Sequence, residues 1–361
     1  MPIKFQSIKA VIPGVILALV FCLFSQGINN LLAIEIFETP KSPISTVLIA
    51  ILLGILMGNA FTPRPGMMVG LDFTQQYILK LGIIFLGIRL SFADFIKFGT
   101  IAIPLIIFCI IGVLILIKLL IKKVPISSKM SYLIAIGTSV CGATAIVATA
   151  PVINAKKSEV AYAIANITLF GVIAMLIYPY FAEWYFDNES LKAGLFLGTS
   201  IHETSQVAAA GLIYDQQFNS PETLNVATVT KLIRNTFLVI MIPLFAFLYN
   251  RGQIKGHKYS ILNIFPYFVL GFIGMILVRN LGDQLFPTDS NNYFIWNKLI
   301  DYFKILATVF LTMAMAAVGI SINLNELKSM GYKPFIVGLI AAITVGFISL
   351  LYIETLNNFL I

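Results

Sequence analysis

The sequence predicts an all-α polytopic membrane protein: an inverted-repeat transporter fold with about nine spans plus two re-entrant, broken helical hairpins. Three observations predict it. Of 361 residues, 59% are hydrophobic and only 11% are charged, with a mean hydropathy of +0.94; soluble domains carry roughly 25% charged residues. The apolar residues fall into successive runs of about 20, the length that crosses a hydrocarbon layer. Two further segments, 129–155 and 191–214, are long enough to cross but are rich in Gly, Ser, Thr and Ala around a polar centre. One membrane domain over 1–361 is expected, with 44–182 and 191–356 as approximate, permuted inverted halves.

The first span, 11–28, follows Lys4 and Lys9. No A-x-A-like site appears before Asn29-Asn30, so it reads as a span and not as a cleaved signal. The remaining spans are expected at 44–60, 77–92, 100–121, 159–182, 225–249, 262–279, 302–322 and 334–356.

The two polar segments match each other. Gly137-Thr138-Ser139 aligns with Gly198-Thr199-Ser200, and both continue into small residues. Gly87-Ile88-Arg89-Leu90-Ser91, with Asp94 and Gly99, aligns with Gly319-Ile320-Ser321-Ile322-Asn323, with Glu326 and Gly331. Such internal pairs suggest a duplicated architecture, frequent among secondary transporters.

Charge sets the threading. With the amino terminus inside and both segments as hairpins, inside loops hold Lys4, Lys9, Arg64, Lys118, Lys122, Lys123, Lys129, Lys156, Lys157, Arg251, Lys255, Lys258, Lys328 and Lys333. Outside fall Lys41, Lys97, Lys192, Arg279, Lys298 and Lys304, an inside excess of about two to one. Eleven full crossings are the alternative. Hairpins entering from opposite faces let one two-fold axis relate both repeat pairs, which full crossings do not.

Irregular backbone at membrane depth persists only where protein buries it or water reaches it. Two Gly/Ser/Thr hairpin tips would frame a polar site whose helix N-termini favour an anion; close helix packing by small residues is the bland alternative. His202 and Glu203 sit at the centre of the second segment. An intramembrane carboxylate needs a partner or a role, and Lys231 and Arg234, on one face of the next span beside Asn235, are the expected partners. Arg89 is expected to snorkel toward the interface. Asn154 and Asn166 could serve a ligand or a backbone carbonyl.

Enzyme classes are excluded by pattern: there is no HExxH, GxSxG or P-loop, and the chain has two histidines. Cys22, Cys109 and Cys141 have no paired spacing, so no disulfide, metal or cofactor is expected. The net charge of +8 lies in short inter-span clusters, an orientation signal and not a nucleic-acid surface.

The stretches Gly137–Ile146, Ser200–Gly211 and Lys231-Leu232-Ile233-Arg234 resemble the bacterial YeiH family of sulfate-exporter-type inner-membrane transporters. The resemblance runs from about residue 44 to the carboxyl terminus, and His202-Glu203-Thr204 is its most specific part; the family usually has Ala where this chain has Ser205. It implies a secondary transporter, in export, of a small anion such as sulfate or a sulfonate, coupled to a proton or cation. An anion channel, or a membrane sensor with a structural ion pair, is the other class.

The expected substrate-binding residues are Thr138, Ser139, Cys141, Gly142, Thr144, Thr199, Ser200, Thr204, Ser205, Gln206, Lys231, Arg234 and Asn235, with His202 and Glu203 coupling. The expected partners are the anion and the lipid bilayer, with a homodimer as one assembly to consider.

Overall fold

The computed structural model describes residues 8–36, 42, 44–61, 65–120, 127–250, 265–289, 292–323 and 332–360. Several residues used above for orientation (Lys4, Lys41, Arg64, Lys122, Lys123, Arg251, Lys255, Lys258 and Lys328) lie outside them, as do Glu326 and Gly331. Every regular element among the described residues is helical, as expected of an all-α membrane protein. Among the described residues, eight helices are long and apolar enough to cross a membrane, and Thr46–Ala60 is a shorter apolar helix.

The first compact unit comprises Met1–Asp94, Leu212–Pro221 and Phe268–Asn325. It holds α1 (Ile8–Leu31), α2 (Thr46–Ala60), α3 (Pro65–Phe73), α4 (Leu79–Leu86), α13 (Phe268–Leu285) and α14 (Tyr293–Ser321). A π-helical turn, Thr74–Ile78, joins α3 to α4, so the third span starts twelve residues before the expected 77. That extension brings Asp72 inside a span.

Small residues set the packing here. Gly54 and Gly58 lie on the backbone of α14 at Ala316–Ile320, and Gly14 lies on Gly70. Without a Cβ, the helices approach to backbone contact.

The α3–α4 span and α14 run antiparallel. Gln75 donates to Ala317 O (3.1 Å) and Ser321 Oγ (2.7 Å), Gly82 packs on Phe310 and Leu311, and Phe85 meets Phe303. The repeat glycines end these two helices alike: Leu90 N donates to Gly87 O and Ile322 N to Gly319 O, both at 3.2 Å. Arg89 does not snorkel. It pairs with Asp215 at 2.8 Å, both half-buried, because a cation held away from water takes the nearest carboxylate.

The second unit comprises Phe95–Gly211, Glu222–Tyr267 and Glu326–Ile361. It contains most of α5 (Phe92–Leu120), then α6 (Ser128–Ser139), α7 (Ala143–Thr149), α8 (Lys157–Phe186) and α9 (Ser190–Ser200). It also holds the first half of α10 (Thr204–Phe218), most of α11 (Pro221–Thr236), α12 (Leu238–Asn250) and α15 (Tyr332–Leu360). Each unit therefore draws on both sequence halves.

Both broken segments return to the side from which they start. Ser127, the N-cap of α6, hydrogen-bonds Glu159 in the first turn of α8, and Lys129 Nζ donates to Asn154 O at 2.6 Å. The start of α9 meets the start of α11 in the same way, through Thr223 Oγ1 donating to Ser190 O at 3.2 Å. The 30-residue α8 separates the two openings by about 45 Å, so the hairpins enter from opposite ends of that helix.

Labelling tests this threading. Single cysteines at Ser127 and Lys156, in a background lacking native Cys, are expected to react from the cytoplasm, and one at Glu189 from outside. Reaction of 127 and 156 from opposite faces contradicts the hairpin. Reaction of 156 from outside and 189 from the cytoplasm contradicts the orientation.

Candidate functional site

The α6 helix stops at Ser139 and the chain resumes as α7 at Ala143. Gly142 makes the break possible: its φ of +70° favours glycine, and a Cβ there would collide with the Glu203 side chain. The α9 helix stops at Ser200 and resumes at Thr204, across Ile201, His202 and Glu203.

Each break leaves carbonyls at the end of its leading helix, and α11 supplies the donors. Lys231 Nζ donates to Val140 O (3.1 Å), Ile201 O (3.0 Å) and His202 O. Arg234 donates through Nε to Ser139 O (2.8 Å), through Nη1 to Thr199 O (2.6 Å) and Ile201 O (3.3 Å), and through Nη2 to Thr138 O. Both side chains are fully buried. Burying two cations is costly; here the negative ends of two helices and seven carbonyl contacts offset it.

This revises the expected roles. Thr138, Ser139, Thr199 and Ser200 lie in the last turns of α6 and α9, so their backbone offers carbonyls and not anion-binding N–H groups. An ammonium has three N–H bonds, and all of Lys231's are used; the guanidinium has five, and one remains, on Nη2. The fork of Arg234 grips the protein, and an anion would meet its charge.

Glu203 does not pair with Lys231 or Arg234; the ion pairs among the described residues are elsewhere. Its carboxylate accepts from the Ala143 N–H across the two crossovers and from Thr168 Oγ1 at 3.3 Å. Gln206 closes the first turn of α10, accepting from Glu203 N (3.1 Å) and donating to Thr168 O (3.3 Å). It lies on Gly171, where a Cβ would strike the amide. Asn235 Nδ2 donates to Thr204 Oγ1 at 2.9 Å, and Cys141 sulfur accepts from the Ala145 N–H. Ser205 is buried and Thr144 is exposed.

His202 is 1% exposed, and neither ring nitrogen has a partner among the described residues. The same holds for Thr138 Oγ1, Ser200 Oγ, Thr230 Oγ1 and Asn235 Oδ1. Buried polar atoms are normally satisfied; these lie at the ends of α6 and α9, in the second crossover and on α11.

Sequence reading missed Thr168, which serves both Glu203 and Gln206, and Ser349 on α15, whose hydroxyl lies 2.7 Å from Thr199 Oγ1. A lone Thr or Ser in an apolar span carries no signal of its own. Asn166 packs against Gly338, away from the Glu203 contacts. Asn154 has a φ of 51° and closes the turn before α8.

The family model described as conserved hypothetical protein 698 matches residues 13–338. The UPF0324 membrane protein of Streptococcus agalactiae is 35% identical over 335 residues, covering 91% of this chain and 93% of that protein. The chain belongs to the UPF0324 membrane protein family. A Fusobacterium nucleatum UPF0324 protein is 33% identical over 322 residues, 88% of this chain and 91% of its own length. The UPF0324 inner membrane protein YeiH of Escherichia coli is 32% identical over 305 residues, 82% of this chain and 81% of that protein. No solved structure matches.

Gly142→Ala is expected to be severe in this UPF0324 protein, since it combines an unfavourable φ with a collision at Glu203. A loss of about 1–3 kcal/mol or more follows from the strain alone. Thermal unfolding of the purified variant checks it; an unchanged midpoint contradicts the crossover geometry.

Proposed function

We propose that this UPF0324 protein is a secondary transporter of a small anion in the bacterial inner membrane, with its amino terminus cytoplasmic. One observation carries the reading. The crossovers hold two buried cations and one carboxylate, beside polar side-chain atoms that have no partner among the described residues. A buried excess of positive charge calls for an anion. Lys231, with its donors spent, and Arg234, with one N–H left, supply attraction, while His202, Thr138, Ser200 and Thr230 supply hydrogen-bonding capacity. Sulfate or a sulfonate ranks first, in keeping with the resemblance to YeiH-type exporters.

Glu203 is the coupling group. It joins the second crossover to the first through Ala143, and to α8 through Thr168, without an ion-pair partner, so a change in its charge alters how the two tips hold together. The sensor reading needed a static pair between Glu203 and Lys231 or Arg234, and that pair is not formed.

Counterflow tests the proposal. Proteoliposomes loaded with unlabelled sulfate or a sulfonate, then diluted into trace label, are expected to accumulate label transiently above its external concentration. A channel gives no such overshoot, and equilibration without one, for every anion tried, contradicts the reading.

A further inference from the structure

We infer that the Lys231 ammonium fills a monovalent-cation site built from the two crossovers, and that this site takes a free alkali cation once the ammonium is removed. Three backbone carbonyls converge on Nζ: Val140 O at 3.1 Å, Ile201 O at 3.0 Å and His202 O. They come from both breaks, and the site is wholly buried. Rings of backbone carbonyls are what replaces the hydration shell of an alkali cation in a pore.

The donors of Lys231 are spent on carbonyls, with no carboxylate among them, so the ammonium acts as a tethered ion. No backbone N–H among the described residues donates to the carbonyls of Val140 and Ile201, because the chain leaves the helix there before the donor four residues on can reach them. They exist as ligands only because the helices are broken. Arg234, three residues on, is turned to Thr138, Ser139, Thr199 and Ile201. The crossovers thus already hold one positive charge at Nζ beside the guanidinium. Exchanging an ammonium for a monovalent ion keeps that balance, whereas a divalent ion adds a charge. Among lithium, sodium and potassium, potassium is closest in size to an ammonium, which sets the expected preference.

The test needs no transport, so it stands apart from the anion-carrier reading. Thermal unfolding of purified protein is followed in equal concentrations of lithium, sodium, potassium or choline chloride. Lys231→Ala leaves the carbonyls and opens space. It is expected to unfold early in choline and to gain about 5 °C or more in potassium, with sodium next.

Lys231→Ser, which adds a hydroxyl ligand, is expected to behave likewise. Lys231→Met fills the space with an apolar chain and is expected to show no cation response, as is the wild type. If neither Lys231→Ala nor Lys231→Ser is stabilised by an alkali cation over choline, the proposal is overturned; this includes failure to fold in every salt. An equal cation shift in the wild type or in Lys231→Met also overturns it, by placing the effect elsewhere.

Discussion

Arg234→Ala is expected to cost this protein more stability than any other single side-chain truncation at the crossovers. One guanidinium satisfies carbonyls from Thr138, Ser139, Thr199 and Ile201 and so ties the leading helices of both hairpins to α11. Removing it leaves the buried Thr138, Ser139 and Thr199 carbonyls unpaired, at about 1–3 kcal/mol each, while Ile201 O keeps Lys231. It also leaves two helix C-termini facing each other with less compensating charge.

Arg234→Lys restores the charge but replaces a planar fork with a point donor, so part of the loss is expected to remain. Unfolding midpoints of wild type, Arg234→Ala and Arg234→Lys are expected in descending order wild type, Lys, Ala. Counterflow should follow the same order. An Arg234→Ala protein that unfolds like the wild type contradicts the reading of Arg234 as the clasp between hairpins. One that unfolds normally yet loses anion exchange would return it to direct substrate contact.

Glu203→Gln is expected to separate exchange from coupling. The amide keeps the shape and an acceptor for the Ala143 N–H and Thr168 hydroxyl, but its charge no longer changes. Anion-for-anion exchange is expected to persist, while the response to a pH gradient falls to background. A lost pH response means that the proton step has been removed and that anion exchange needs no proton movement. Residual transport with normal pH dependence removes Glu203 from the mechanism. Ala143 and Thr168 hold the carboxylate, and no cation does, so loss of its charge is expected to leave the fold intact.

Much of this was legible in the chain. The apolar runs located the membrane helices, because a 20-residue apolar stretch has few other uses. The paired Gly-Thr-Ser segments located the two breaks, and the i,i+3 spacing put Lys231 and Arg234 on one face. The direction of their contacts was not legible. Thr138 and Thr199 read equally well as helix starts or helix ends, and only the break points at 140 and 201 decide that their carbonyls, not their N–H groups, reach the centre. The extra turns before 77 were hidden by Asp72, Gln75 and Gln76, polar residues that ended the apolar run although the helix continues through a π-helical turn. Asp215 was missed as the partner of Arg89 because the two lie 126 residues apart and share no motif.

The most direct measurement of the central claim is pH-driven anion accumulation in sealed proteoliposomes with the membrane potential clamped. Labelled sulfate, then a small sulfonate, would be supplied under an imposed pH gradient of each orientation. Accumulation above the equilibrium level is expected in one orientation, abolished by a protonophore. Flux that only equilibrates in both orientations, or no flux of any anion tried, contradicts that claim.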